Sequence, residues 1–168
     1  PHLARWLADQ GARDLVLTSR RGADAARRRR TRRRTRRAGL RRDRRRLRRP
    51  RPRRRRRLLD RLAAEGRTVR SVFHTAAVIE LQTIEETSLD AFAKVVHAKT
   101  AGAAHLDELL DDDQLDAFVL YSSTAGMWGS GRHAAYVAAN AHLNALAEHR
   151  RARGAHGTRS PGASGPTT

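Results

Sequence analysis

The sequence has no cysteine, no long apolar run and few acidic residues to balance its positive charge. Without cysteine there is no disulfide framework and no thiolate metal site. No apolar run approaches the roughly 20 residues that a membrane-spanning helix needs, so we expect no membrane partner and a cytoplasmic location. The chain also begins inside an amphipathic helical pattern, without an initiator methionine or a signal peptide, which favours a piece of a longer protein.

The positive charge belongs to one segment. The chain has 36 Lys+Arg against 17 Asp+Glu, for a net charge of +19. Residues 27–57 hold 22 of the basic residues and a single acid, Asp43, whereas the rest has 14 basic and 16 acidic residues, a net charge of −2. Outside this arginine tract, Arg27–Arg57, the composition is that of an ordinary acidic domain.

Apolar spacing predicts strands that alternate with helices. The predicted strands are 14–19, 70–75 and 115–121, and the predicted helices are 2–10, 58–64, 89–110 and 134–153. Gly11 and Gly154 are expected to end the first and last helices. This alternation predicts an α/β fold, a Rossmann-like doubly wound parallel sheet. We expect the sheet to be incomplete, because its first strand and the Gly-rich phosphate-binding turn would precede Pro1.

The arginine tract has three interpretations. A nucleic-acid-binding arm would use the arginines on phosphates, but the tract has no aromatic residue for base stacking and interrupts a βα unit, so nucleic acid is an unlikely partner. A solvated insert with no specific role is the second. The third, which we favour, is translation out of frame from GC-rich DNA. Codons for Arg42–Arg49 can be chosen whose next frame reads Val-Thr-Val-Ala-Ala-Cys-Asp-Val, an apolar strand.

The C-terminal residues independently support the interpretation that part of the chain is translated out of frame. Codons for Thr158–Thr168 can be chosen whose alternative frame reads Ala-Val-Ala-Trp-Gly-Ile-Trp-Ala-Asp-Asp, a strand and a turn. We therefore predict a partial domain over residues 1–158 and an aberrant tail over 159–168. The domain is interrupted at 27–57 by a disordered or isolated helical excursion that packs no apolar face.

One segment, SSTAGMWGSGRHAAYVAAN at 122–140, combines residues typical of a catalytic site. Tyr136 follows Ser123 by 13 residues, and Asn140 follows Tyr136 by four, which puts the last two on one helix face. Lys99 lies 37 residues before Tyr136. A hydroxyl donor, a phenol and a cation beside it are the parts needed to protonate an alkoxide during carbonyl reduction.

Four motifs in a fixed order carry a family resemblance. They are LVLTSRRG at 15–22, VFHTAA at 72–77, HAKTAGAAHLDELL at 97–110 and FVLYSSTAGMWGSGRHAAYVAANAHLNALAEHRRARG at 118–154. With them the chain resembles the ketoreductase domain of a modular type I polyketide synthase, a branch of the short-chain dehydrogenase/reductase superfamily. The resemblance implies NADPH-dependent reduction of a β-ketoacyl group to a β-hydroxyacyl group. The implied partners are an acyl carrier protein that carries the substrate on phosphopantetheine and other synthase domains in cis.

The resemblance also implies roles for the site residues. Tyr136 matches the acid that protonates the alkoxide, and Ser123 matches the hydroxyl that holds the substrate carbonyl. Most short-chain reductases have lysine four residues after the tyrosine. Here Asn140 occupies that position and Lys99 takes the role of the cation, an exchange that polyketide ketoreductases share. A phenol, with an ordinary pKa near 10, needs such a positive charge to act near neutrality.

Further residues match the cofactor-binding and stereocontrol positions of the family. Ser19 and Arg20 match the adenosine ribose site, where arginine can pair with the 2′-phosphate of NADPH. Thr75, Ala76 and Ala77 match a loop beside the cofactor, although the family usually has glycine at Ala77. Lys99 and Tyr136 also border the cofactor. Trp128 and His133, without a Leu-Asp-Asp motif after Ala77, indicate an A-type reductase that produces an L-hydroxyl, and His133 indicates the subtype that accepts an epimerised α-substituent.

We expect the 168-residue chain itself to be inactive. The phosphate-binding turn, the strand displaced by the tract and the final strand are all predicted to be missing, which leaves too little core and sheet for tight NADPH binding. Two alternative functions are a basic nucleic-acid-binding module and a catalytically dead structural subdomain.

Overall fold

The computed structural model describes residues 2–19, 41–46 and 52–161. They fall into two compact units, Pro1–Arg54 and Arg55–Thr168. Each unit contains parallel β-structure together with helices. The chain is therefore an α/β protein with parallel strands, as the alternating pattern predicts.

The first unit contains helix α1 (His2–Asp9), strand β1 (Asp14–Ser19) and strand β2 (Arg41–Arg46). Helix α1 ends before Gly11 as predicted, and the positive φ of 91° at Gly11 is a conformation that favours glycine. The two strands pair in parallel, from Asp14 opposite Arg41 to Ser19 opposite Arg46.

Strand β2 corrects our expectation for the arginine tract. Residues 41–46 of the tract form a strand paired with β1, whereas we predicted a disordered or isolated helical excursion. The tract's last residues also enter helix α2 (Pro52–Ala64). The pattern RRDRRR has no apolar alternation, but the hydrogen bonds of a parallel ladder use backbone groups that every residue here possesses. Residues 27–40 and 47–51 of the tract lie outside the described residues.

The second unit contains most of α2 and a three-stranded sheet. Its further elements are β3 (Ser71–His74), α3 (Leu89–Leu109), β4 (Ala117–Ser122), the short helix α4 (Ala125–Trp128), α5 (Ala134–Ala152) and β5 (Thr158–Pro161). The strands are parallel in the order β3–β4–β5. Within the described ranges, no helix is both long and apolar enough to cross a membrane.

Strand β4 lies at the centre of the second unit's core. Alternate residues of this strand are buried, among them Phe118, Leu120 and Ser122, because successive side chains of a strand point to opposite faces. Helices α3 and α5 pack against each other, and their buried faces include Ala103 and Ala147, whose small side chains permit close approach. The core cluster consists of Val72, Ala103, Leu115, Phe118, Leu120, Leu143 and Ala147.

Strand β5 includes the first three residues of the predicted aberrant tail, 159–161, where we expected the final strand to be missing. Residues 158–161 pair in parallel with β4, from Thr158 opposite Val119 to Pro161 opposite Ser122. The segment that leads into β5 is anchored to helix α5, because Arg150 Nε donates to the His156 carbonyl at 2.6 Å. Pro161 has no N–H to contribute, which is tolerated on a strand with a single described neighbour. Residues 162–168 lie outside the described part of the chain.

These two strands also bear on the expectation that the chain is inactive. That expectation depended on three missing parts, and strands are present at two of the three positions, 41–46 and 158–161.

A buried arginine joins several elements of the second unit. The Arg150 side chain is fully buried, forms ion pairs with Asp107 and Asp112, and lies 4.0 Å from the centroid of the Phe118 ring. Arg153 pairs with the same two carboxylates. Because a buried guanidinium is costly unless paired, this cluster ties α5 to α3 and to the turn before β4.

Candidate active site

The two serines at the end of β4 have different environments. Ser122 is buried, and its hydroxyl donates to the Asn140 carbonyl of α5 at 3.3 Å. Ser123 is half-buried, and its Oγ accepts from the Ala125 backbone N–H at 3.2 Å. Ser122 therefore attaches the strand to helix α5, whereas Ser123 stands at the sheet edge and keeps its hydroxyl proton for another acceptor.

Lys99 and Tyr136 are brought together although 37 residues separate them in the chain. Lys99 lies in the middle of α3 and is 3% exposed, and its Nζ is 5.6 Å from the centroid of the Tyr136 ring. The ammonium donates to the Tyr121 carbonyl of β4 at 2.5 Å. Burial lowers the pKa of Lys99 from 10.5 to about 8, so the side chain still carries its proton at neutral pH.

Asn140 lies one turn after Tyr136 on α5 and is fully buried. Its Nδ2 donates to the Tyr136 carbonyl at 2.7 Å. Its Oδ1 is buried and has no hydrogen-bond partner among the described residues. A buried amide oxygen without a donor is unusual in a folded protein and marks a place that a water or a ligand hydroxyl can fill.

A glycine, Gly126, lets helix α4 approach helix α5 closely. A Cβ on Gly126 would lie 2.8 Å from the Asn140 Cβ, closer than real Cβ atoms come, and 3.0 Å from the Ala141 backbone nitrogen, which is also tight. Helix α4 can therefore pack on α5 at this point only with glycine. Our sequence analysis missed Gly126 and the anchoring role of Ser122, since a glycine after a strand is common and carries no spacing signal of its own.

The two stereocontrol candidates lie on either side of a tight loop. His133 Nδ1 is 2.8 Å from the Gly131 carbonyl, and because a carbonyl only accepts, this nitrogen carries a proton. The His133 ring centroid is 6.1 Å from that of Tyr136. Trp128, at the end of α4, is 87% exposed. The structure thus places His133 beside Tyr136 and leaves the Trp128 indole on the surface.

The predicted cofactor residues are divided between the two units. Thr75, Ala76 and Ala77 follow β3 and are exposed, and Ser123 follows β4, its parallel neighbour. Both segments therefore leave the same edge of the sheet, the edge at which open α/β sheets bind ligands. Ser19 ends β1 in the first unit, where its Oγ is buried with no hydrogen-bond partner in the described ranges. Arg20 lies outside the described residues.

The sequence also matches a family model, that of the KR domain, over residues 1–159. The chain belongs to the KR domain family. It is 44% identical over 152 residues to polyketide synthase GfsA of Streptomyces halstedii, and the aligned region covers 90% of this chain and 2% of that synthase. The recognised resemblance to polyketide synthase ketoreductases is confirmed, and members of this family are oxidoreductases.

Solved ketoreductases share the fold. PlmKR1, the ketoreductase from the first module of phoslactomycin biosynthesis in Streptomyces sp. HK803, has a TM-score of 0.89 and 38% identity, with 95% of this chain and 37% of that chain covered. A structure described as an A1-type ketoreductase has a TM-score of 0.86 and 43% identity, with 95% and 33% covered. The chain thus spans about a third of the length of these solved ketoreductases.

Proposed function

We propose that the ketoreductase domain to which this chain belongs reduces a β-ketoacyl thioester, carried on the phosphopantetheine arm of an acyl carrier protein, to the β-hydroxyacyl thioester. The observation that carries the proposal is the buried Lys99 ammonium 5.6 Å from the Tyr136 ring centroid. A buried cation is costly, and its position beside a half-buried phenol has a ready explanation in proton transfer. The proposal places the protein in the cytoplasm, with the other domains of a polyketide synthase as partners in cis.

The described residues fit a nicotinamide cofactor. An ammonium, a buried amide oxygen without a donor and a backbone loop at the carboxyl edge of the sheet are groups that bind a ribose and its neighbours. In the second unit, the residues that would hold the cofactor are Thr75, Ala76, Ala77, Lys99 and Tyr136. Ser19 and Arg20 are proposed as cofactor-binding residues from the family resemblance alone. Arginine at position 20 would favour NADPH over NADH, because its guanidinium can pair with a 2′-phosphate. When bound, NADPH supplies the hydride for the carbonyl carbon.

The chain's own residues handle the carbonyl oxygen. The Ser123 hydroxyl donates to this oxygen and holds the carbonyl in place, since its own proton is not used within the described loop. The Tyr136 phenol transfers its proton to the oxygen as negative charge develops there. The Lys99 ammonium, 5.6 Å from the Tyr136 ring centroid, then stabilises the phenolate that remains.

Asn140 links helix α5 to the end of strand β4 next to these residues. Its Nδ2 donates to the Tyr136 carbonyl, and its own carbonyl accepts from Ser122, so the first turns of α5 are attached to the end of β4. This attachment fixes Tyr136 relative to Ser123. Its Oδ1 accepts from no described residue and can accept from a water that returns a proton to the tyrosine.

The stereochemical part of the proposal is A-type reduction with an L-hydroxyl product. His133 lies beside Tyr136, and Trp128 presents an exposed indole at the end of α4, where it can border the entering acyl chain. The 43% identity to a structure described as an A1-type ketoreductase supports this assignment. His133 further suggests a substrate with an epimerised α-substituent. Chiral chromatography of the product alcohol tests the configuration, and a D-hydroxyl product would overturn the assignment.

The decisive variant is Tyr136→Phe, with Tyr121→Phe as its matched control. The chain has two tyrosines. The other one, Tyr121, accepts from Lys99 through its backbone carbonyl, and the control substitution leaves that carbonyl in place. In the intact parent domain, with a β-ketoacyl N-acetylcysteamine thioester and NADPH, Tyr136→Phe should lower kcat by at least about a hundredfold, the order expected for loss of a general acid. Tyr121→Phe should retain turnover. Equal activity in the two variants would refute the proposed role.

A further inference from the structure

A buried histidine, His74, is hydrogen-bonded to the backbone of Lys99 and has no role in the chemistry described above. His74 is the last residue of β3 and is 7% exposed. Its Nε2 is 2.8 Å from the Lys99 carbonyl oxygen. Because a carbonyl only accepts, Nε2 carries the proton and donates. The imidazole thus attaches the end of a strand to the middle of helix α3, at the residue whose ammonium faces Tyr136.

The helix is shaped to receive this ring. Gly102 follows Lys99 by three residues, so it lies on the same side of α3. A Cβ on Gly102 would lie 2.6 Å from His74 Cε1 and 3.1 Å from Arg55 Nη2. Any larger residue would displace the imidazole or push the helix away from β3. His74 and Gly102 therefore pack directly against each other where β3 meets α3.

The charge state of the ring suits a permanent hydrogen bond. Burial lowers the pKa of His74 to about 4, and the neighbouring cations Lys99 and Arg55 act in the same direction. The imidazole is therefore neutral at physiological pH, and its single proton is the one that Nε2 donates. A neutral donor also adds no further positive charge beside the lysine.

The two ends of Lys99 are held by neighbouring strands of one sheet. His74 of β3 binds the backbone carbonyl of Lys99, and Tyr121 of β4 accepts from its ammonium. β3 and β4 pair directly, so the two anchor points have a fixed separation. Lys99 is therefore held at its backbone and at its ammonium, whose Nζ lies 5.6 Å from the Tyr136 ring centroid.

We propose that His74 is a positioning residue for Lys99, holding the helix turn that presents the ammonium to Tyr136. The proposal rests on the proposed reductase function for its meaning, but the contact itself can be tested without turnover. The test variants are His74→Leu, which removes the donor, and His74→Gln, whose amide nitrogen can reach the position of Nε2. Exposed His97 on the same helix supplies the control variant His97→Leu.

The first readout is the pKa of Lys99 itself, measured by NMR titration of the 168-residue chain labelled at lysine. The chain has two lysines, and Lys94 is exposed and paired with Glu80, so it serves as an internal reference. The pKa of Lys99 should lie near 8 in the wild type and in His97→Leu. In His74→Leu it should rise by about one unit or more, because the side chain loses its buried position. His74→Gln should stay close to the wild type.

Two results would overturn the proposal. One is an unchanged Lys99 pKa in a folded His74→Leu chain, and the other is an equal change in His74→Leu and His74→Gln. If His74→Leu does not fold, Gly102→Ala applies the same test, because the added methyl must displace the imidazole. A Lys99 pKa that stays near 8 in folded Gly102→Ala also overturns it.

The second readout separates positioning from substrate binding. Where the protein turns over, His74→Leu should lower kcat by about tenfold to a hundredfold with little change in KM, the order expected from a small displacement of a catalytic group. His74→Gln should restore most of the loss. A wild-type kcat in His74→Leu counts against positioning. Loss of turnover in Tyr136→Phe is the separate test of the reductase function, so the two proposals fail independently.

Discussion

Replacing Lys99 with methionine separates the stability cost of the buried ammonium from its role at the site. Methionine is an unbranched side chain that fills the space of the lysine stem without its charge. Lys99 is 3% exposed, so folding takes its side chain largely out of water. We therefore expect the variant to lose turnover while the pH dependence of its stability changes in a predictable way.

The magnitude follows from the pKa of Lys99. Burial lowers it from 10.5 to about 8, which corresponds to about 3 kcal/mol against the charged folded state, at about 1.36 kcal/mol per pKa unit. Below pH 8 the lysine is protonated in both the folded and the unfolded chain, so this cost is complete. Between pH 8 and 10.5 the folded chain gives up the proton first, and the cost is progressively relieved. From pH 7 to pH 9 the free energy of unfolding should therefore rise by about 1.3 kcal/mol on account of this residue.

The assay is urea unfolding at pH 7 and at pH 9, followed by circular dichroism. The rise in unfolding free energy between the two pH values should be about 1.3 kcal/mol larger in the wild type than in Lys99→Met. Contributions from other groups cancel in this comparison, because both chains share them. Lys94→Met, which removes an exposed lysine, should behave like the wild type. An equal rise in wild type and Lys99→Met would refute the idea that a charged Lys99 is buried on folding.

Further predictions follow from the same geometry. The wild-type kcat/KM should fall as the pH rises above about 8, since Lys99 then loses its proton; a profile that is flat to pH 10 would contradict this. Gly126→Ala should lower stability by about 1–3 kcal/mol, as measured by urea unfolding, because its methyl meets Asn140 and the Ala141 backbone, whereas Gly131→Ala, with open space around it, should be nearly neutral. Arg150→Met should cost about 3–5 kcal/mol in the same assay by leaving Asp107 and Asp112 poorly paired, and Arg70→Met, at an exposed pair, should change little. Three-frame translation of the source DNA should show an apolar strand in the frame next to Arg42–Arg49; its absence there would reject the frameshift.

Much of the local structure could be predicted from periodicity. The helices at 89–109 and 134–152 and the strands at 14–19, 71–74 and 117–122 lie within a few residues of their predicted bounds. The turns at Gly11 and Gly154 have the positive φ angles that suit glycine. These features depend on neighbours three or four residues apart, or on alternation along one strand, so the sequence pattern expresses them directly.

Apolar alternation along the sequence does not predict strands in charged or polar segments. Arg41–Arg46 and Thr158–Pro161 have no apolar alternation, and we predicted a disordered tract and an aberrant tail there. Their pairing partners, β1 and β4, supply backbone donors and acceptors that do not depend on side-chain type. A strand of this kind becomes visible only once its neighbour in the sheet is known.

By itself, the sequence determined the α/β class, the spacing of Tyr136 and Asn140 along one helix, and the family to which the chain belongs. Only the tertiary structure decided which of two adjacent serines is buried, that Lys99 lies beside Tyr136, and that His74 binds the Lys99 backbone. It also decided that Gly102 and Gly126 must be glycines. These contacts join residues 14 to 37 positions apart, or depend on how closely two backbones approach. They arise when helices pack on the sheet, and no local periodicity encodes them.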